Sequence, residues 1–164
     1  MTVTDNARST PSVVDLPSAG GSYILVLRAS APARLTIGRL GEVAIVPGWY
    51  LYVGSALGAG GLRGRLRHHL QPVRRPHWHI DYLRQVCAVT QVWCVVDARR
   101  WEHRWAHLLA EMASPAPRLR FGASDCDCVA HCFYWQAQPL LSDFLTIARR
   151  AFPDLPEMIS RNTS

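Results

Sequence analysis

Tyr52, Arg65 and His69 are the side chains of this sequence whose types and spacing best suit joint chemistry. They lie in WYLYVGSALGAGGLRGRLRHHL, which reads as a short strand over Trp49–Val53, a small-residue loop over Gly54–Gly61 and a helix over Leu62–Leu70. On that helix Leu62, Leu66 and Leu70 form one apolar stripe, bordered by Arg65 and His69 on one side and by Arg63 and Arg67 on the other. The strand delivers Tyr52 to the edge of the loop, and the helix brings Arg65 and His69 back towards it. Glycine lets a backbone approach a ligand closely, and beside so many arginines the ligand that fits is a phosphate. The spacing completes no standard phosphate loop. Arg63 stands where a dinucleotide fingerprint wants its third glycine, and no Gly-Lys-Ser/Thr follows. A flexible strand–helix connection with solvated arginines fits the spacing alone equally well.

A second group of chemically capable residues is Asp125-Cys126-Asp127-Cys128-x-x-His131-Cys132. Cys126, Cys128, His131 and Cys132 offer soft ligands for a structural zinc ion, but they lack paired Cys-x-x-Cys spacing, and a strand would splay them. Redox-sensitive or simply buried thiols are the favoured reading. His77-Trp78-His79 sets two imidazoles two positions apart, on different sides of a helix, with Trp78 as packing and both histidines lining a basic cleft.

Composition narrows the chemistry further. The formal net charge is +6, and all 18 basic residues are arginine. With no lysine, Schiff-base chemistry, pyridoxal phosphate enzymes and lysine-based glycosylase/lyases are excluded. No acidic residue falls between Glu42 and Asp81, where Arg63, Arg65, Arg67, Arg74 and Arg75 gather with His68, His69, His77 and His79. That is the electrostatic footprint of a nucleic-acid or polyphosphate binder, although a solvated arginine-rich face has the same composition. The cysteine count is 5, an odd number, and the first residues lack the apolar run of an export signal. A cytoplasmic protein with no membrane span is expected.

The elements that must position these residues follow from periodicity. Residues 1–19, rich in Ser, Thr and Pro, read as a disordered leader. Ser22–Arg28 is a strand with Tyr23, Leu25 and Leu27 on one face and Ile24 and Val26 on the other. Arg34–Ile37 and Glu42–Val46 form a strand pair around a glycine turn. After the Trp49–Leu70 unit come a helix over His77–Val86, a buried strand over Val89–Val96, and a helix capped by Asp97 and running to Ala113. Its apolar face carries Trp101, Trp105, Leu108, Leu109 and Met112, with Glu102 one step off it. A short strand over His131–Trp135 and an amphipathic helix over Leu140–Phe152 complete the domain, and residues 153–164 read as a flexible tail.

Gly21-Ser22-Tyr23, Tyr52-Val53-Gly54, Leu62-x-x-Arg65-Leu66-x-x-His69 and Glu102 together resemble the GIY-YIG endonuclease superfamily. The first tripeptide matches in its glycine and tyrosine only, with Ser22 in place of the usual isoleucine. GWYLYVGSALG, HWHIDYL and GASDCDCVAHCFY resemble, more narrowly, a small uncharacterised branch found alone or fused to endonuclease-III-like repair enzymes. The similarity covers roughly residues 20–135. The tripeptides lie further apart than in typical members, so the Arg34–Val46 strands read as an insertion.

This resemblance implies a single α+β domain over residues 20–152, a small central antiparallel sheet flanked by helices, with an extra strand pair between the tripeptides. It implies a metal-dependent DNA endonuclease, structure-specific or repair-associated, with DNA and a repair protein as partners. Glu102 would hold one Mg²⁺ or Mn²⁺, because Mg²⁺ tolerates a single carboxylate while keeping its waters. Arg65 would pair with the scissile phosphate. Tyr23 would act as base once neighbouring positive charge lowers its phenol, Tyr52 would orient the water or phosphate, and His69 would assist either. Gly54, Ser55, Arg63, Arg67, Arg74, Arg75, His77 and His79 would contact nucleic acid. Two rival readings stand beside this one: a non-catalytic nucleic-acid-binding module on the same fold, and a cysteine-based metal- or redox-responsive protein.

Overall fold

A run of alternating apolar residues with no charge before Arg28 suits a strand buried on both faces. The computed structural model, which describes residues 15–113 and 118–163, puts that run at the centre of a sheet. In chain order the elements are β1 (Gly21–Ala29), β2 (Ala33–Ile37), β3 (Gly41–Ile45), β4 (Gly48–Ala56), α1 (Gly61–Leu70), α2 (His79–Arg84), β5 (Ala88–Val96), α3 (Glu102–Met112), β6 (Cys132–Trp135), α4 (Leu141–Ala151) and β7 (Ile159–Asn162). The fold is α+β. A 5-stranded antiparallel sheet has the order β6-β4-β1-β5-β7, and β2 and β3 form a separate 2-stranded sheet.

Alternation along β1 divides the interior into two cores. Tyr23, Leu25 and Leu27 face Leu62 and Leu66 of α1, Ile80 and Leu83 of α2, and the inner residues of β2 and β3. Ile24 and Val26 face the opposite way, onto Trp101, Trp105 and Leu109 around α3 and Phe144 and Ala148 of α4. Each fully buried Leu or Phe here contributes roughly 1.5–3 kcal/mol. Among the described residues, no helix is long and apolar enough to cross a membrane.

Several local expectations change. β4 runs on to Ala56, so Gly54 and Ser55 are paired strand residues opposite Tyr23 and Ser22, and the loop shrinks to residues 57–60. Asp97 does not cap α3: its carboxylate accepts bonds from the Arg99 backbone and from Trp101 Nε1, and the helix begins at Glu102. α2 begins at His79 because Asp81 Oδ2 accepts the backbone N–H groups of both His77 and Trp78, holding them ahead of the helix. In α1 the buried stripe is Leu62, Leu66 and His69, with Leu70 only partly covered. Most of the expected leader, residues 1–14, lies outside the described residues, but Leu16 is fully buried and its carbonyl accepts Arg63 Nε at 2.7 Å. The expected flexible tail is not uniformly loose either. Its Ile159–Asn162 segment pairs with β5 from Gln91 to Cys94 as the outermost strand.

Candidate functional site

One wall of the candidate site is built on β1, β4 and α1. The strand register sets Tyr23 opposite Gly54, and a Cβ at Gly54 would overlap the Tyr23 ring. Only glycine lets that ring lie across β4. Tyr52, opposite Leu25, is the diagonal neighbour of Tyr23 on the same face. Its ring is covered in turn by Gly122, where a Cβ would come within 2.9 Å of Tyr52 Cε2 and where φ is +76°. From α1, His69 Nε2 reaches Tyr23 Oη at 2.7 Å, while His69 Nδ1 is buried with no partner among the described residues. Arg65 lays its guanidinium 4.8 Å from the centre of the Trp78 ring. Trp78, expected to pack inside, is 41% exposed.

On this wall burial holds Tyr23, Tyr52 and His69 neutral beside the charged Arg65. Burial, helped by the positive charges of Arg84, His68 and Arg65, lowers His69 from its ordinary 6.5 to about 3. Burial also raises the Tyr23 phenol, and it outweighs the lowering influence of Arg65. Tyr52 is likewise raised well above its ordinary value, first by burial and then by the neighbouring Tyr23. The expectation that nearby positive charge activates Tyr23 therefore reverses: desolvation is the larger effect.

The other wall is the N-terminus of α3 with the loop before β6. Ser22 is fully buried and its Oγ accepts the Trp101 backbone N–H at 3.0 Å, which ties the start of α3 to β1. Glu102 follows directly. Its Oε1 lies 3.2 Å from His131 Nδ1, and its Oε2 lies 3.7 Å from Arg100 Nη1. Burial acts to raise the Glu102 carboxyl, but hydrogen bonds from His131 and Ser55 bring it below the ordinary value. Glu102 is a carboxylate at neutral pH.

Between the walls lies a cleft of about 400 Å³. Tyr23, Tyr52, Gly54, Ser55, Arg65, His69, His77, His79 and Glu102 all line it. His79 is anchored there by its Nδ1, which accepts the Gly122 N–H at 2.8 Å. The other candidates fall elsewhere. Arg63 holds the Leu16 carbonyl, Arg67 is exposed on α1, and Arg74 and Arg75 line a separate hollow with His68 and Arg84. Asp125, read in the sequence with the cysteine group, instead joins the cleft, as do Gly122, Ser124 and Arg100, and Ser22 braces it. Arg100 carries no signal in the sequence; Ser22 carries one, as the substituted residue of its tripeptide, and Gly122, Ser124 and Asp125 lie in GASDCDCVAHCFY.

The cysteine group is regrouped. Cys132 does not belong with Cys126, Cys128 and His131. On β6 it turns into the core of Tyr23 and Leu25, while Cys128 turns into that of α3 and α4. The fourth member is His103 of α3: ligand atoms of His103, Cys126, Cys128 and His131 all lie within 4.8 Å of one another, a group that could hold a metal ion.

No curated protein and no solved structure matches this chain. A family model does match, over residues 22–152, a span that includes both walls of the cleft and the regrouped cysteine cluster. The chain belongs to the family described as Domain of unknown function DUF123.

Proposed function

We propose that the cleft is the active site of a metal-dependent DNA endonuclease of the GIY-YIG kind, structure-specific or repair-associated. One observation carries the reading: Tyr23, Tyr52, Arg65, His69 and Glu102, drawn from four separate elements, converge on one open cleft. An ionised carboxylate, an arginine and a tyrosine–histidine pair meet the needs of phosphodiester hydrolysis.

The donor set suits a hard divalent cation. Glu102 is ionised, Ser55 and Asp125 line the same cleft, and no cysteine is among the lining residues. Glu102 would hold Mg²⁺ or Mn²⁺, which when bound supplies Lewis acidity at the phosphate. Arg65 pairs with the scissile phosphate, its guanidinium plane already set by stacking on Trp78. The phosphate's negative charge offsets the positive neighbours that hold His69 neutral, so His69 becomes a better proton acceptor as substrate arrives. Tyr23 can then take a proton from the attacking water while passing its own to His69 Nε2. Tyr52 shapes the floor against which the water or phosphate sits.

A non-catalytic nucleic-acid-binding module is favoured by a different observation. Exposed Trp78, stacked by Arg65, is a platform for an unpaired base and needs no metal. The two readings separate on one assay: purified chain with labelled duplex, flap and damaged DNA, each with Mg²⁺, Mn²⁺ or chelator. Scission that needs the metal and disappears in Arg65→Ala, with weaker binding, is the expected result. Binding without scission under every metal and DNA structure would leave the binding module standing alone.

A further inference from the structure

We infer that His103, Cys126, Cys128 and His131 bind one zinc ion in a closed, structural site, and that this ion fixes Glu102 through His131. The four side chains come from two distant segments, α3 and the loop before β6, and their ligand atoms already lie within 4.8 Å of one another. A tetrahedral zinc with bonds of about 2.0–2.3 Å needs ligand separations of roughly 3.3–3.8 Å. Cys126 Sγ and His131 Nε2 stand at 3.4 Å, inside that range. A set of two sulfurs and two nitrogens selects zinc over the hard cations, and four protein ligands leave no open position for catalysis. Binding would release two thiol protons to solvent and leave the site neutral, as a half-buried centre requires.

The arrangement of His131 is the second, independent observation. Its Nδ1 faces Glu102 Oε1 at 3.2 Å and its Nε2 faces Cys126, so the ring already has a carboxylate on one nitrogen and the cluster on the other. That is the carboxylate–histidine–zinc relay by which outer carboxylates fix the tautomer and orientation of a zinc-bound imidazole. Here it also runs in reverse. The ion would hold the ring, and the ring would hold the cleft carboxylate. His131 and His103, with ring centroids 5.7 Å apart, flank Glu102 from its own helix and from the loop. The loop itself has mostly turns and bends, yet Phe121, Ala123, Cys128 and Ala130 are buried. Backbone bonds from Arg120 to Val129 and from His131 to Phe121 tie the loop to itself, and a metal would cross-link it to α3 through His103. The zinc site does not depend on the nuclease reading; only the consequence for Glu102 does.

Elemental analysis of the purified chain, kept reduced, should find one zinc per chain. Cys126→Ser with Cys128→Ser should lose it, and Cys132→Ser should keep it. Should the double variant fail to fold, His103→Ala removes one ligand and is expected to weaken zinc retention against a chelator by more than the roughly 10- to 100-fold typical of outer-shell changes. Replacing the ion with Co²⁺ in the unaltered chain should give the strong ligand-field bands of a tetrahedral site together with thiolate charge transfer. Long-range proton–nitrogen NMR should find His131 protonated on Nδ1 and metal-bound through Nε2. A chain that holds no zinc, and takes up neither Zn²⁺ nor Co²⁺ when reduced, overturns the proposal. So does a metal lost in Cys132→Ser but retained by the double variant. Because every readout here is metal content or spectroscopy, failure of the DNA assay leaves this test unaffected.

Discussion

The two walls of the cleft are built by opposite means. On the tyrosine side, position comes from regular geometry: strand pairing aligns Tyr23 with Gly54, and a helical turn carries Arg65 and His69. Tyr23 and His69 are buried and Tyr52 partly so, and both phenols and the imidazole are held neutral by loss of water beside the charged Arg65. On the glutamate side, position comes from side chains. Ser22 bonds the Trp101 backbone, and Ser55 and His131 bond the Glu102 carboxylate, which they keep ionised against the cost of burial. The two walls differ in what each presents to the cleft: a tyrosine–histidine pair with one arginine on the first, and an ionised carboxylate on the second.

The sharpest break of that contrast is Glu102→Gln. Glutamine keeps the size and the bonds to His131 and Ser55 but removes the charge a hard cation requires. Cleavage of DNA should fall by about 100-fold or more, while the melting temperature moves by only a few degrees and binding persists or tightens. Undiminished cleavage would move the chemistry to the other wall.

Gly54→Ala tests the tyrosine wall at its tightest point. The new Cβ would run into the Tyr23 ring, so stability should drop by about 1–3 kcal/mol in denaturant unfolding. Gly58→Ala, where nothing lies within 4 Å, should be close to neutral. Equal effects at the two positions would mean that Tyr23 does not lie where its hydrogen bond to His69 requires.

A smaller effect reads the burial of His69 through pH. Free histidine takes up its proton near 6.5, but folded His69 does so only near 3. Between these values the unfolded chain binds more protons, so the stability owed to neutral His69 is complete above about pH 6.5 and declines as pH falls towards 3. His69→Gln should flatten the dependence of unfolding free energy on pH in that window, by at most about 1.4 kcal/mol per pH unit. An unchanged slope would mean that water reaches His69.

The same contrast explains what could be read from the sequence. Two-residue and helical periods carry β1, β4, α1 and the apolar face of α3, while the choice of Tyr23 and Glu102 as site residues rests on the resemblance of their motifs. Side-chain braces have no period. Nothing in the sequence linked Ser22 to Trp101, or His103 to Cys126 and Cys128. Adjacency pairs Cys132 with His131 in the sequence, but β6 begins at Cys132 and turns its thiol into the Tyr23 core, while His131 lies in the loop before it. Asp97 resembled a helix cap, but a tryptophan indole and an arginine claimed its carboxylate. β7 was missed because ISRN is short and polar, and it becomes a strand only because β5 offers an unpaired partner.

That outermost strand has a consequence for how the molecule behaves in a crowd. Gln91, Val92, Trp93 and Cys94 would otherwise present a row of free amides and carbonyls flanked by apolar side chains, an open template for another copy. β7 covers that row and turns two polar residues, Ser160 and Asn162, outward along the new border. At the far border β6 is only 4 residues long. The sheet is thus blunted at both ends, and a version of the chain shortened after α4 would trade a covered edge for an adhesive one.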